Sequence, residues 1–178
     1  TAAALVKTVR VGSVMLCDRL KKLEGEMALW SSSSVDELKI AELDSMVMLF
    51  RHIDESERKL VTGSIVTAPH IATNSNMRAW LGRKLEVDAI DQDAAYIASA
   101  CSEMSIPFAI IRGITSEESS NFSQSRYPAG PIARSTKSKM HITPISIFEQ
   151  IKFRLGVRIA SNRIDQVLTR INSFSLRA

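Results

Sequence analysis

Apolar residues fall in short runs separated by polar punctuation, and the period inside each run changes along the chain. Val9, Val11, Val14, Met15 and Leu16 around Gly12 predict a strand and a turn near the start, and the four serines at 31–34 predict a loop. Between 35 and 50, Leu38, Ala41, Leu43, Met46, Val47 and Phe50 recur near helical spacing behind Asp36 and Glu37, which predicts a helix. KLVTGSIVT at 59–67 is rich in β-branched residues and ends before Pro69, the pattern of a strand running into a loop. A second helix is predicted across 76–84. Ala94, Ala95, Ile97, Ala98, Cys101 and Met104 share one helical face, small enough at its centre to press against a sheet, and Pro107 stops that helix. The apolar run 108–111 then predicts a central strand covered on both faces. Ile147, Phe148, Ile151, Leu155, Ile159, Ile164, Leu168 and Ile171 predict a closing helix over 146–173, kinked at Gly156. Residues 116–143, rich in Ser, Pro, Gly and Arg, read as one long loop.

Strands alternate with helices and no repeat is present, so the expected class is α/β, a central mixed sheet flanked by helices. At 178 residues with 45% hydrophobic residues, the chain has the size of a single domain, 1–178, with a sizeable core. No run reaches the roughly 18 uninterrupted apolar residues of a membrane helix, and the start lacks the apolar centre of a signal peptide, so no membrane partner and a cytoplasmic location are expected. Cys17 and Cys101 fall in segments that read as buried strand and buried helix, which favours reduced core thiols. His52, His70 and His141 are far apart and neither Cys sits in a ligand pattern, so no metal site is expected. The net charge of +4 is unevenly spread, with ten Lys or Arg against two acidic residues from Arg126 onward. Arg154, Arg158, Arg163 and Arg170 fall on a helix with an apolar face, so a solvated charged face explains them better than nucleic acid does.

Chemistry concentrates at the two edges of 88–120. In doubly wound sheets ligands bind beyond the carboxyl ends of the strands, and both Asp91-Gln92-Asp93 and Thr115-Ser116-Glu117 follow predicted strands. A carboxylate at the first edge can accept hydrogen bonds from sugar hydroxyls, and an acid at the second can donate a proton to a leaving base. The competing reading is that Asp91 or Asp93 caps the following helix and Arg112 serves a structural ion pair.

The stretch resembles the purine nucleoside phosphorylase superfamily, and most of all its methylthioadenosine/S-adenosylhomocysteine nucleosidase branch. There a helix opens with an acid-Met-Glu-x-Ala-Ala motif, and the next strand reads Val-Pro-Phe-x-x-x-Arg-x-Ile-Ser-Asp. Asp91-Gln92-Asp93-Ala94-Ala95, Ile106-Pro107-Phe108 and Arg112-Gly113-Ile114-Thr115-Ser116 stand in those places. Thr1-Ala2-Ala3-Ala4-Leu5 with Val11-Gly12-Ser13-Val14 resembles the family's Gly-rich turn and Val-Gly-Asp-Val strand, and Gly63-Ser64-Ile65-Val66-Thr67 the strand into its base-binding loop. The resemblance implies a nucleoside phosphorylase-like fold, N-terminally truncated because the family's first strand precedes the segment that resembles Thr1-Ala2-Ala3. An unprotected sheet edge, covered by another chain or domain, is the expected consequence.

What it implies chemically is cleavage of the N-glycosidic bond of a purine nucleoside, by water or by phosphate as co-substrate, with no other cofactor. Such a reaction needs a carboxylate near the ribose, an aromatic wall for the base and an acid for the leaving purine. The chain departs at each place. Asp93 stands for the family's Glu, Gln92 for its Met, and Ser116 for the base-protonating Asp, a loss that typically costs about 10²–10⁴ in rate. Glu117 is the nearest substitute acid. Ala68-Pro69-His70-Ile71 occupies the place of Gly-Asp-x-Phe, leaving Ile71 for the stacking aromatic, with His70 either its stand-in or without a role. The implied site is therefore Asp91, Gln92, Asp93, His70, Ile71 and Arg112 for binding, and Ser116 and Glu117 for chemistry, with Asp93 facing Ser116 across one sugar-sized hollow. Two readings remain open: an active purine nucleosidase or phosphorylase, and a catalytically silent relative that binds a nucleoside for regulation or assembly. Further copies of the chain or a larger parent chain are the implied macromolecular partners.

Overall fold

The computed structural model describes residues 1–24, 35–38, 60–70, 72, 74–120 and 144–175. Six strands, β1 (Ala2–Ala4), β2 (Val14–Leu23), β3 (Val35–Leu38), β4 (Leu60–Thr67), β5 (Ala89–Asp91) and β6 (Ile111–Ser116), form one mixed sheet. Among the described residues three helices flank it: α1 (Ser75–Leu85), α2 (Ala94–Glu103) and α3 (Pro144–Ser175). The strand order is β3-β2-β4-β5-β1-β6, and β6 returns to pair with β2. Five strands therefore close into a ring with β3 attached outside it.

The closure depends on β2. Its first half pairs with β6 (Val14 with Gly113, Leu16 with Ile111), its second half with β3, and its other edge carries β4 throughout. The β2–β4 register shifts between Cys17 and Arg19. Because side chains alternate faces with period 2, one extra residue switches the parity of everything after it. That is why Met15 and Cys17 before the shift, and Leu20 after it, all enter the same core. Each strand of the ring has partners on both sides, so the open edge expected at Thr1-Ala2-Ala3 is not found: β1 lies between β5 and β6.

Alternation elsewhere divides the core into layers. Ala4, Ile65, Ala89 and Ile114 pack with Ala94, Ala95 and Ala98 of α2. Their neighbours on the other face, Ala3, Val66 and Ile90, pack with Leu81 and Leu85 of α1. Val14 and Leu16 meet Val167 of α3, with Ile111 and Ile164 at the margin. The helix α1 starts where Asn74 Oδ1 accepts from the Asn76 N–H at 2.8 Å and from the Met77 N–H at 3.4 Å.

Several expectations shift. Residues 35–38, expected to open a helix, form β3, and the rest of that predicted helix lies outside the described residues, as does the loop from 121 to 143. The predicted strand 108–111 is displaced to Ile111–Ser116, since pairing with β1 and β2 selects the segment containing Arg112 and Gly113. Ile97 and Met104, expected in the core, stand exposed; only Ala94, Ala95 and Ala98 of α2 are buried. The closing helix runs unbroken through Gly156. A Cβ there would overlap the Thr115 carbonyl oxygen, so this glycine serves close approach of α3 to β6 rather than a kink.

Candidate functional site

β5 runs parallel to β4 and antiparallel to β1, while β6 runs parallel to β1, so the carboxyl ends of β5 and β6 point in opposite directions. The strands are short, however, and Ala3 is opposite both Ile90 and Ser116. The two charged edges therefore sit two strands apart, about 10 Å, at nearly the same level of the sheet.

The first edge is built around Arg112. Its Nε donates to Asp91 Oδ2 at 2.8 Å and its Nη2 to Asp93 Oδ1 at 2.6 Å. The Asp91 side chain is 0% exposed and that of Asp93 is 59% exposed. Asp91 also accepts from the Thr67 hydroxyl at 2.6 Å and from the Ala94 N–H at 3.4 Å, while Thr67 Oγ1 accepts from the Ala95 N–H at 2.9 Å. Two strand residues thus cap α2 from below. Asp93, at the N-cap position, makes no side-chain capping bond. Burial raises the Asp91 carboxyl above the ordinary carboxylate value, and the Thr67 hydroxyl, Arg112 and the Ala94 N–H pull it partly back. Asp91 thus caps α2 and pairs with Arg112, and Asp93 is the more exposed of the two carboxylates.

Asp91, Gln92 and Asp93 together line a cleft of about 280 Å³ whose other walls include Thr1, Thr115 and Phe153. Gln92 Nε2 donates to the Pro69 carbonyl at 3.3 Å, tying this edge to the segment after β4. His70 on that segment is exposed, and Ile71 lies outside the described residues.

The second edge opens on a different cleft, also about 280 Å³, whose lining includes Ser116, Glu117, Ser119, Ser120 and Gly156. Thr115 and Phe153 line both clefts. Asp93 and Ser116 accordingly do not face each other across a single hollow; each belongs to one of two clefts with a common wall. Glu117 is half-exposed, 3.9 Å from Arg10.

Ser116 has a partner that the sequence did not announce. Arg78 of α1 is 0% exposed. Its Nε donates to the Ala72 carbonyl at 2.6 Å, and its Nη1 to the Glu117 carbonyl at 2.7 Å and to Ser116 Oγ at 3.4 Å. In the sequence Arg78 is one of three basic residues in a short amphipathic helix, with nothing to separate it from Arg83 and Lys84, which point to solvent. Phe153 carries no sequence signal either, because its place on α3 reads as ordinary helical patterning.

A closed mixed sheet with flanking helices and paired clefts at short strand ends defines the structural class, and the sequence defines the family. Residues 1–128 match the phosphorylase superfamily, and the chain belongs to it. No curated protein matches. Among solved structures, the futalosine hydrolase of Helicobacter pylori strain 26695 superposes with a TM-score of 0.67 at 12% identity, over 97% of this chain and 65% of that one. The S-adenosylhomocysteine nucleosidase of Streptococcus pyogenes, in complex with 5-methylthiotubericidin, gives 0.65 at 15% identity, over 96% and 63%. A 5′-methylthioadenosine/S-adenosylhomocysteine nucleosidase from Helicobacter pylori with butyl-thio-DADMe-Immucillin-A gives 0.63 at 11% identity, over 95% and 65%. At these identities the likeness establishes the fold, and the chain spans less than two thirds of the length of each of the three. No helix among the described residues is long and apolar enough to cross a membrane.

Proposed function

We propose that the chain binds a purine nucleoside across the two clefts, ribose at Asp93 and base beside Ser116 and Glu117, as part of a nucleosidase or phosphorylase that cleaves the N-glycosidic bond. The observation that carries this reading is the common wall: Thr115 and Phe153 line both clefts. A cavity of about 150 Å³ holds a benzene ring, so each cleft has room for one ring system of a nucleoside. Asp93 is accessible enough to accept from sugar hydroxyls if Arg112 keeps its contact with Asp91. Phe153 supplies an aromatic surface to both clefts. Family membership supports the substrate class, and the solved relatives bind nucleoside analogues by their own descriptions. In cleavage the C1′–N9 bond breaks, water or phosphate adds to C1′, and the purine leaves with a proton, for which Glu117 is the nearest carboxylic acid. Residues 1–178 form one unit of that enzyme in this reading, working with further copies or within a longer chain.

A second reading, nucleoside binding without turnover, is favoured by one specific observation. Arg112 already pairs with both Asp91 and Asp93, and a serine stands in the acid position. The two readings separate in one experiment. Adenosine, inosine and 5′-methylthioadenosine are incubated with the protein, with and without phosphate, and free base is measured alongside the melting temperature. Release of base that is lost in Asp93→Ala supports the enzyme; a rise in melting temperature without release supports the silent domain. No rise with any nucleoside at millimolar concentration overturns both, because a ligand bound only by the folded state must stabilise it.

A further inference from the structure

We infer that Arg78 is a positioning residue that fixes the Ser116 hydroxyl as a hydrogen-bond donor toward a ring nitrogen of the bound purine. The inference rests on the nucleoside reading and adds to it a discrimination between bases. A guanidinium carries only donors, so in the 3.4 Å contact between Arg78 Nη1 and Ser116 Oγ the serine must accept. Its single proton is then left to donate. Among the described residues no acceptor takes it, and Ser116 lines the cleft that also holds Glu117 and Ser120. Without Arg78 the hydroxyl could turn its proton to either side; with Arg78 donating into one of its two lone pairs, the proton is turned away from the guanidinium and donation into the cleft is favoured.

The support behind that orientation is rigid. Arg78 is fully buried and held by the carbonyls of Ala72 and Glu117 at 2.6 and 2.7 Å, one at the entrance to α1 and the other just past the end of β6. These contacts pin the guanidinium independently of Ser116. A buried cation beside a hydroxyl also polarises it, which strengthens the hydrogen bond the hydroxyl donates onward. The matching ligand group is a neutral ring nitrogen with a free lone pair, a group that purines have and their deaza analogues lack at one position. The serine thus reads the base without being a proton donor of carboxylic strength.

The test is the ratio of affinities of the folded protein for adenosine and for its 7-deaza and 3-deaza analogues, measured by calorimetry, with the 5′-methylthio series run in parallel. One hydrogen bond lost against a buried donor predicts a preference of about tenfold for the parent nucleoside over one of the two analogues. Ser116→Ala should bring that ratio to about one. Arg78→Lys, which also only donates, should keep it, and Arg78→Gln, whose amide oxygen can accept from the serine, should lose it. General damage to the fold weakens both ligands of a pair alike and leaves the ratio unchanged. If Arg78→Gln does not fold, Arg78→Met, which has no donor, takes its place, and a preference kept in a folded Arg78→Gln or Arg78→Met overturns the role of Arg78. A ratio of one in the unaltered protein, or a preference that survives Ser116→Ala, overturns the inference while the nucleoside reading stands. Failure of every nucleoside to bind removes both.

Discussion

Arg112 Nε lies 2.8 Å from Asp91 Oδ2, with the Asp91 side chain wholly buried, so the ion pair ties β6 to β5 across the intervening β1. Removing the cation leaves a buried carboxylate that has lost its ion-pair partner and keeps the Thr67 hydroxyl and the Ala94 N–H as donors. Arg112→Met should therefore destabilise the protein by about 3 kcal/mol, in the range for breaking a buried pair. Asp93→Asn, on the exposed side of the same guanidinium, should cost under about 1 kcal/mol. Urea midpoints of the two variants check the contrast; equal losses would remove the structural role assigned to Asp91.

The contact of Gly156 with the Thr115 carbonyl brings α3 against β6 and places Phe153 at both clefts. Gly156→Ala should displace the helix at a cost of about 1–3 kcal/mol, as overpacking does. Because Phe153 moves with it, nucleoside binding should weaken by more than the loss of stability alone explains. Thermal unfolding and calorimetric titration on the same variant provide the comparison.

Burial pushes the Cys17 thiol up to about 12, against an ordinary value of 9.0. A folded-state value above the unfolded one means a contribution that is complete below pH 9 and lost as the pH rises from about 9 toward 12. Stability should fall over that window, and Cys17→Ala should flatten the fall. At neutral pH a thiol reagent should label the half-buried Cys101 in the folded protein and leave Cys17 untouched until denaturant is added. Mass spectrometry of labelled peptides distinguishes the two.

Asn74 caps α1 from an exposed position, and four residues on is Arg78. Asn74→Ala should cost about 1 kcal/mol. It should also loosen the turn that holds Ala72 against Arg78, seen as faster amide hydrogen exchange in the first turn of α1 with exchange in β4 unchanged.

Local signals carried much of this structure. The β-branched run before Pro69 is β4, the helix predicted across 76–84 is α1, and the alanines at 94, 95 and 98 are the buried face of α2. These depend on neighbours in sequence, where period and capping act. The misreadings came where distant pairing decides. The strand at Ile111–Ser116 contains a charge, a glycine and two hydroxyls, and it is a strand because β1 and β2 flank it; no window of composition contains that fact. Val35–Leu38 follows β2 for the same reason. At the site, the motif around Asp91, Asp93 and Arg112 was legible, yet its division into a buried capping carboxylate and an exposed one depends on Thr67, which comes from another strand. Arg78 was silent, since only burial distinguishes it from the lysines and arginines around it.

The return of β6 to β2 has a consequence for how the molecule is made. Among the described strands β6 comes last, so Ala2 finds its partner Ile114, and the first half of β2 its partners Gly113 and Arg112, only after the others have been synthesised. Pairings so remote in sequence close slowly. During translation the edges of β1 and β2 that face β6 must therefore stay unpaired, a ready target for chaperones, until β6 leaves the ribosome and completes the ring.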